Sequence, residues 1–282
     1  MLLTTGERDP ELGAAIRSIR LADDASEIVV VVNATSAGSA ADAADAAGAD
    51  SVVTPGSNLG IPAGRDVGLG STDADVVFFL DDDARVAEGD VAAVREMFER
   101  IPDLGAVSFR LVDEEGRTSR RHVPRFGSRG VDRGGSVATF LGGACAVRAS
   151  AYRAVGGYWG DLWYGHEELD LSWRLVDAGW SIRYEPSVRV FHPRSEISRH
   201  DEGWFRTGRN RVWVGRRNLP RPLSLVHTGG WLVVGVLRAP DRRTPRAYGS
   251  GWWCGWRTKI ERRPMSWRTA VALTRLGRPP VL

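Results

Sequence analysis

The sequence predicts an α/β protein with a mixed, mainly parallel central sheet flanked by helices. Three observations carry that expectation. Short apolar, β-branched runs recur through the first third: "EIVVVV" (27–32), "ADSVV" (49–53) and "DVVFFL" (75–80). They are continuous rather than alternating, the pattern of strands buried on both faces. Helical patterns, "SAADAADAAGA" and "IPAGRDVGLGST", separate them, and strands alternating with helices read as βαβ units of the nucleotide-binding type. At 282 residues and 43% hydrophobic content, the chain can fill the core of one large domain or of a domain with an appendage.

Further along, "DVAAVREMFERI" continues the helical pattern, and "GAVSFRLVD" and "VATFLGGACAVR" read as strands of a mixed sheet. The Arg- and Gly-rich stretch between them, Glu114 to Gly135, is a long loop of the kind that tends to be functional or mobile. A helix is announced by "GHEELDLSWRLVDAGW": acids in its first turn, Leu169, Trp173 and Val176 at helical spacing, and Gly179 as a stop. "SIRYEPSVRVFHP" predicts two short strands around a proline turn. From about residue 201 the pattern changes to a basic, Trp-rich, mainly helical extension. The expected organisation is residues 1–200 as one body, with parts 1–112 and 113–200, and 201–282 as the extension.

Charge divides along the same line. Residues 200–282 carry 17 Arg or Lys against 4 Asp or Glu, leaving 21 against 31 upstream, so the two parts are near +13 and −10. Seven of the eleven tryptophans also lie in the extension. Basic plus aromatic suits an anionic membrane surface, an acidic ligand or simple packing on the acidic body. No RNA- or DNA-binding module is recognisable, so nucleic acid is not an expected partner. The two cysteines, Cys145 and Cys254, are far apart and form no CxxC pair, which argues against a zinc site or a disulfide framework and makes a reducing cytoplasm the default expectation. The N-terminus turns polar after two leucines, and no apolar run of about 18 to 20 residues is long enough to span a bilayer.

Candidate chemistry sits in four places. Asp81, Asp82 and Asp83 end a buried strand, where ligands of open parallel sheets bind. Two carboxylates spaced by one residue suit a hard divalent cation, Mg or Mn; the plain alternative is a solvated strand end with Asp83 capping the next helix. Arg65, in "NLGIPAGRDVGL", offers a planar fork to a phosphate, a base carbonyl or one of the aspartates, or else makes an ordinary surface ion pair. Glu167, Glu168 and Asp170 stand at a helix start, where a general base or a complement to the helix dipole is equally in order. His192 ends the strand in "VFHP", as a ligand or a structural residue.

The order of "NLGIPAGRDVGL", "FFLDDDARV", "LGGACAVRASAYRAVGGY", "HEELDLSWRL" and "VFHP" makes the chain resemble the family 2 glycosyltransferases of GT-A fold, over roughly residues 1–218. The resemblance implies an inverting, metal-dependent transfer from a nucleotide-diphosphate sugar to an acceptor hydroxyl. It implies Asp81 and Asp83 as the metal pair with His192 completing the site, Mn2+ or Mg2+ as the metal, and Glu168 as the base, with Glu167 orienting an acceptor or supporting it. Thr5, Asn33, Arg65, Asp81 and Asp82 fall where the family meets the nucleotide sugar. Gly142, Gly143, Trp163 and His166 fall where donor sugar and acceptor meet. Three departures accompany it: Val32 and Asn33 stand where an Asp is usual, Asp66 replaces an Asn after the Arg, and the acid pair is Glu-Glu instead of Glu-Asp. The expected acceptor is a bacterial glycan, a glycolipid or a natural product, with the protein at most peripheral to a membrane. The contrasting expectation is a binding protein on the same fold without turnover.

Overall fold

A computed structural model describes residues 1–125, 130–194 and 202–281. Among these residues nine strands form one sheet: β1 (Leu2–Thr4), β2 (Val29–Val32), β3 (Ser51–Val53), β4 (Val76–Asp81), β5 (Arg85–Glu88), β6 (Leu104–Val112), β7 (Gly135–Ser136), β8 (Ala144–Arg148) and β9 (Ser181–Phe191). Their order is β3-β2-β1-β4-β8-β6-β9-β5, with β7 added against β9. The pairs among β1 to β4 are parallel, β8 runs antiparallel between β4 and β6, and β6 and β9 are parallel. The carboxyl ends of β1, β2, β4, β6 and β9 therefore share one rim.

Helices α1 (Asp9–Ala22), α2 (Gly38–Ala46), α3 (Gly60–Gly70), α4 (Val91–Arg100), α5 (Ala149–Ala154) and α6 (Glu167–Asp177) connect and cover the strands. Two apolar cores result, one on each face of the sheet. Leu12, Ile16, Val30, Val32, Val94 and Phe98 belong to the first, and Val29, Val31, Phe79, Tyr152, Leu171 and Tyr184 to the second. Alternate β2 valines point to opposite cores, which is why "VVVV" reads as an unbroken apolar run.

Three local expectations are corrected. The segment 137–148 is strand only over Ala144–Arg148; the preceding residues are buried but turn, which presents Gly142 and Gly143 to the rim. Residues 181–191 form one long strand rather than two. Its register against β6 jumps from Phe109↔Glu185 to Arg110↔Arg189, so Pro186, which has no N–H to give, sits in the bulge. Finally, the chain after the three aspartates forms β5, and Asp83 caps no helix; the α4 cap is Asp90, whose Oδ1 accepts from Ala93 N at 2.9 Å.

Four more helices follow: α7 (Gly203–Asn218), α8 (Arg221–Leu237), α9 (Thr244–Arg257) and α10 (Trp267–Arg275). The expected boundary at residue 200 lies outside the described residues. A third core joins Trp173 and Leu162 to Trp213, Val214, Leu219, Met265 and Leu273, so the helical extension packs on the body through α6. Buried Asp170 reinforces this contact. It accepts from Arg174 Nε and Nη2 at 2.9 and 2.6 Å on one oxygen and from Asn218 Nδ2 at 2.7 Å on the other.

Candidate active site

A cleft of about 540 Å3 opens at the carboxyl rim, lined by Thr5, Arg8, Asn33, the three aspartates, Trp163, Tyr164 and His192 among others. The strand order brings these together from ends of β1, β2, β4 and β9 that are distant in sequence. A cavity of about 590 Å3 lies at the opposite end of the strands, against Met1, Val76 and Phe98, away from these acids.

Asp81, Asp83 and His192 present one ligand atom each within 4.8 Å of one another. His192 Nε2 lies 3.6 Å from Asp81 Oδ2 and 3.4 Å from Asp83 Oδ1. Its Nδ1 sits 2.8 Å from Pro193 O, so a proton on Nδ1 donates to that carbonyl and leaves the Nε2 lone pair aimed at the carboxylates. Two hard oxygens and one imidazole nitrogen in this arrangement fit a Mn2+ or Mg2+ ion. Burial opposes ionisation of Asp81, but His192 in its doubly protonated form, favoured by these carboxylates despite its own burial, and Arg65 outweigh it and hold the carboxyl at about 2. Asp82 responds differently: burial pushes it up to about 6 against the pull of Thr4 and Arg8.

Arg65 lies beneath these acids, 3% exposed. Its Nη2 donates to Asp81 Oδ1 at 2.9 Å, and its Nη1 stands 3.5 Å from Glu168 Oε1. The rings of Phe79 and Tyr158 flank the guanidinium at 5.8 and 5.9 Å. The surface ion pair open to Arg65 from sequence is thus replaced by a buried bridge between two acids. Burial raises the Glu168 pKa, an effect Arg65 partly offsets. Gly142 and Gly143 pass so close that a Cβ on Gly142 would meet the Glu168 carboxylate, and one on Gly143 the Asp81 carboxylate.

The remaining expected residues divide. Trp163, 39% exposed, lines the cleft with the Arg206 guanidinium 5.1 Å from its ring. Its carbonyl accepts from Ile61 N at 2.8 Å, an approach that requires Gly60, whose φ is +77 and whose Cβ would lie 2.6 Å from that oxygen. Asn33 borders the cleft, but its amide braces the 58–60 loop: Oδ1 accepts from Leu59 N at 2.8 Å and Nδ2 donates to Gly60 O at 3.0 Å. Thr5 is exposed on the rim. His166, in left-handed conformation at φ 75, turns towards the helical extension, where Arg211 and His227 join burial in lowering its pKa. Asp66 faces the opposite way from the cleft acids, accepting from Tyr158 N at 3.1 Å and from the Tyr152 hydroxyl, so this departure serves packing.

Sequence reasoning missed Arg8, which pairs with Asp83 and, at 3.2 Å, with Asp82. A lone Arg four residues past a strand end in "TTGER" carries no signal until the fold places it. His122, inside the long loop, packs edge-on against His192 at 6.4 Å between ring centres.

Glu167 is 3% exposed, and its Oε2 has no hydrogen-bond partner among the described residues. Burial first, then the Glu168 charge, raises its pKa. A carboxyl whose folded pKa is raised penalises folding as pH climbs from its unfolded value through its folded one. Glu167→Gln is therefore expected to stabilise the protein by about 1–2 kcal/mol at alkaline pH and by little below pH ~4.3. Melting temperatures of both proteins across pH measure this, and an equal gap at every pH would refute it.

Several comparisons bear on this arrangement. The family model "Glycosyl transferase family 2" matches residues 3–156. A curated protein of Mycobacterium tuberculosis, pre-mycofactocin glycosyltransferase, is 28% identical over 208 residues, covering 70% of this chain; the chain spans only 39% of that relative's length. Among solved structures, the mannosyltransferase PcManGT from Pyrobaculum calidifontis, in complex with GDP-Man and Mn2+, superposes with TM-score 0.59 at 16% identity, covering 98% of this chain and 82% of its own. S. aureus TarS 1–349 in complex with UDP gives TM-score 0.60 at 14% identity, covering 89% and 78%. These likenesses place the fold in the GT-A class.

Proposed function

Because the chain belongs to glycosyl transferase family 2, we propose that it transfers a sugar from a nucleotide-diphosphate sugar to an acceptor hydroxyl with inversion. The observation that carries this reading is one buried guanidinium, Arg65, bracketed by Asp81 on the cation-seat side and Glu168 on the other. A donor laid across the rim would have its diphosphate at the Asp81, Asp83 and His192 group and its anomeric carbon towards Glu168. Neighbouring folds solved with UDP or with GDP-Man and Mn2+ support a donor of this class.

Glu168 acts as the base: its carboxylate takes the proton of the acceptor hydroxyl as that oxygen attacks the anomeric carbon from the face opposite the diphosphate. Arg65 fixes the carboxylate, and Glu167 supports it from the same helix turn. Asp81, Asp83 and His192 would hold the divalent ion, which when bound neutralises charge on the departing diphosphate. Arg8, already on Asp82 and Asp83, has further N–H groups to offer to phosphate oxygens. Trp163 and the Gly142–Gly143 turn border the place of the transferred sugar. The acceptor is a bacterial glycan, glycolipid or natural product, and the basic extension sets the enzyme beside an anionic membrane surface.

Thermal stabilisation by nucleoside diphosphates and their sugars, with and without Mn2+ or Mg2+, tests this. At about 100 times its dissociation constant, the correct ligand adds about 2.7 kcal/mol. That gain is expected for one nucleotide only with metal, and is lost in Asp83→Asn. No shift with any nucleotide under any metal condition would refute the reading.

A further inference from the structure

Helix α8 carries one apolar face that the described residues leave exposed. Pro222, Leu225, Val226, Gly229, Gly230, Val233, Val236 and Leu237 recur at intervals of three and four, and every one of them is exposed. Leu225, Val226 and Val233 are 60, 59 and 58% exposed and Leu237 is 78%. Such a contiguous patch is uncommon on a protein that meets only water.

The other side of α8 is fixed. Ser224, His227, Thr228 and Gly235 are buried. A Cβ on Gly215 of α7 would lie 2.9 Å from the His227 ring, and Gly235 packs under the Tyr248 ring of α9. Trp252 Nε1 donates to Thr228 O at 3.0 Å, the Tyr248 hydroxyl donates to Trp231 O at 2.8 Å, and His227 Nδ1 donates to Pro280 O at 2.7 Å. The helix cannot roll its apolar face inward without losing these contacts. No described helix is long and apolar enough to cross a membrane, and 17 residues of α8 extend about 25 Å.

Charge decides what covers the face. Arg221 stands at one end of α8 and Arg238, Arg242 and Arg243 just past the other, all exposed, with Asp241 the one acid among them. A two-fold pairing of α8 with a second copy would set these cations against one another, whichever way the helices ran. Anionic headgroups neutralise them, while an apolar stripe between cationic ends is the form of helices that lie in the interface plane.

We infer that α8 seats the protein on an anionic bilayer, lying parallel to the surface with Leu225, Val226, Val233 and Leu237 inserted at the headgroup boundary. The inference deepens the peripheral placement proposed above and rests on it.

The test is flotation of the full chain with vesicles of phosphatidylcholine alone or mixed with phosphatidylglycerol, alongside sedimentation velocity without lipid. Wild type is expected to float with the anionic vesicles, less so as salt rises. Leu225→Glu/Val233→Glu is expected to weaken binding by about tenfold or more, keeping its melting temperature because both positions are exposed. Arg238→Glu/Arg242→Glu/Arg243→Glu is expected to lose the preference for phosphatidylglycerol. If the Leu225/Val233 variant floats as wild type does, another surface holds the membrane and the assignment of α8 is overturned while peripheral placement stands. Wild type unbound from anionic vesicles at low salt overturns both, with the nucleotide response still reporting separately on catalysis. Self-association in sedimentation that the same variant abolishes overturns the inference in favour of a contact between copies.

Discussion

Glu168→Gln is expected to lower kcat by about 10²–10⁴, the range that a positioned general base contributes, with little change in metal-dependent nucleotide binding. The amide keeps the size of the carboxyl and leaves Arg65 its hydrogen bond to Asp81, so the fold and the Asp81 side of the bridge stay in place. What it lacks is a basic oxygen. The pH profile gives the more specific readout. Burial raises the Glu168 pKa above the usual 4.5, with Arg65 pulling the other way. The active form is the ionised one, so kcat/KM should rise with pH through a value above the ordinary carboxyl range and level off. In Glu168→Gln that limb should vanish. A variant that retained the limb, or that lost less than about tenfold in rate, would take the role of base away from Glu168.

Gly143→Ala should be nearly as damaging, through the cation seat. The added methyl would overlap the Asp81 carboxylate, whose Cγ stands 2.5 Å from the ideal Cβ position. The backbone has little freedom to retreat: Gly143 O accepts from Asp81 N at 3.2 Å, and β8 pairs with β4 from the next residue, Ala144, opposite Leu80. Asp81 must therefore swing away from His192 and Arg65. A displacement of about 1 Å at a reacting site costs about 10²-fold, and a fall of that size in kcat/KM is expected, together with loss of the metal-dependent thermal shift. Gly142→Ala is the matched comparison, because its methyl would press on the Glu168 carboxylate, with Cδ at 2.8 Å, and on Arg65 Nη1. It should reduce kcat while leaving more of the metal-dependent shift. Arg65 joins the two sites, so each variant should also carry part of the other's loss; an equal loss of the metal-dependent shift in both would argue against a cation seat centred on Asp81.

These glycines illustrate what the sequence could and could not convey. A pair of glycines before a strand announces close approach but does not say to what. The partners lie 62 residues upstream of Gly143 for Asp81 and 26 residues downstream of Gly142 for Glu168, joined only by the sheet order. The βαβ run was legible because burial on both faces leaves an unbroken apolar stretch, as in Val29–Val32. The edge strand Arg85–Glu88 was not, since an exposed edge tolerates the charges that make it look like loop. The three aspartates stood out by their repulsion, yet Arg8, which relieves it, is an unremarkable residue until β1 places it beside them. Asn33 was visible as a polar residue ending an apolar strand; that its amide braces the 58–60 loop depends on a turn whose shape no residue pattern encodes.

One guanidinium contacting both acids has a consequence for how the protein can be altered. The two halves share a hinge pin, so their energetics are not independent quantities. A change that shifts Asp81 alters the field at Glu168 through Arg65, and double-mutant cycles across the pair should depart from additivity although no direct bond joins them. Lysine cannot substitute at this position, because a single ammonium has no second arm with which to reach the other acid. Selectivity in the proposed transfer is then best sought at Trp163 and Arg206 on the outer wall, which hydrogen-bond to none of Arg65, Asp81 and Glu168.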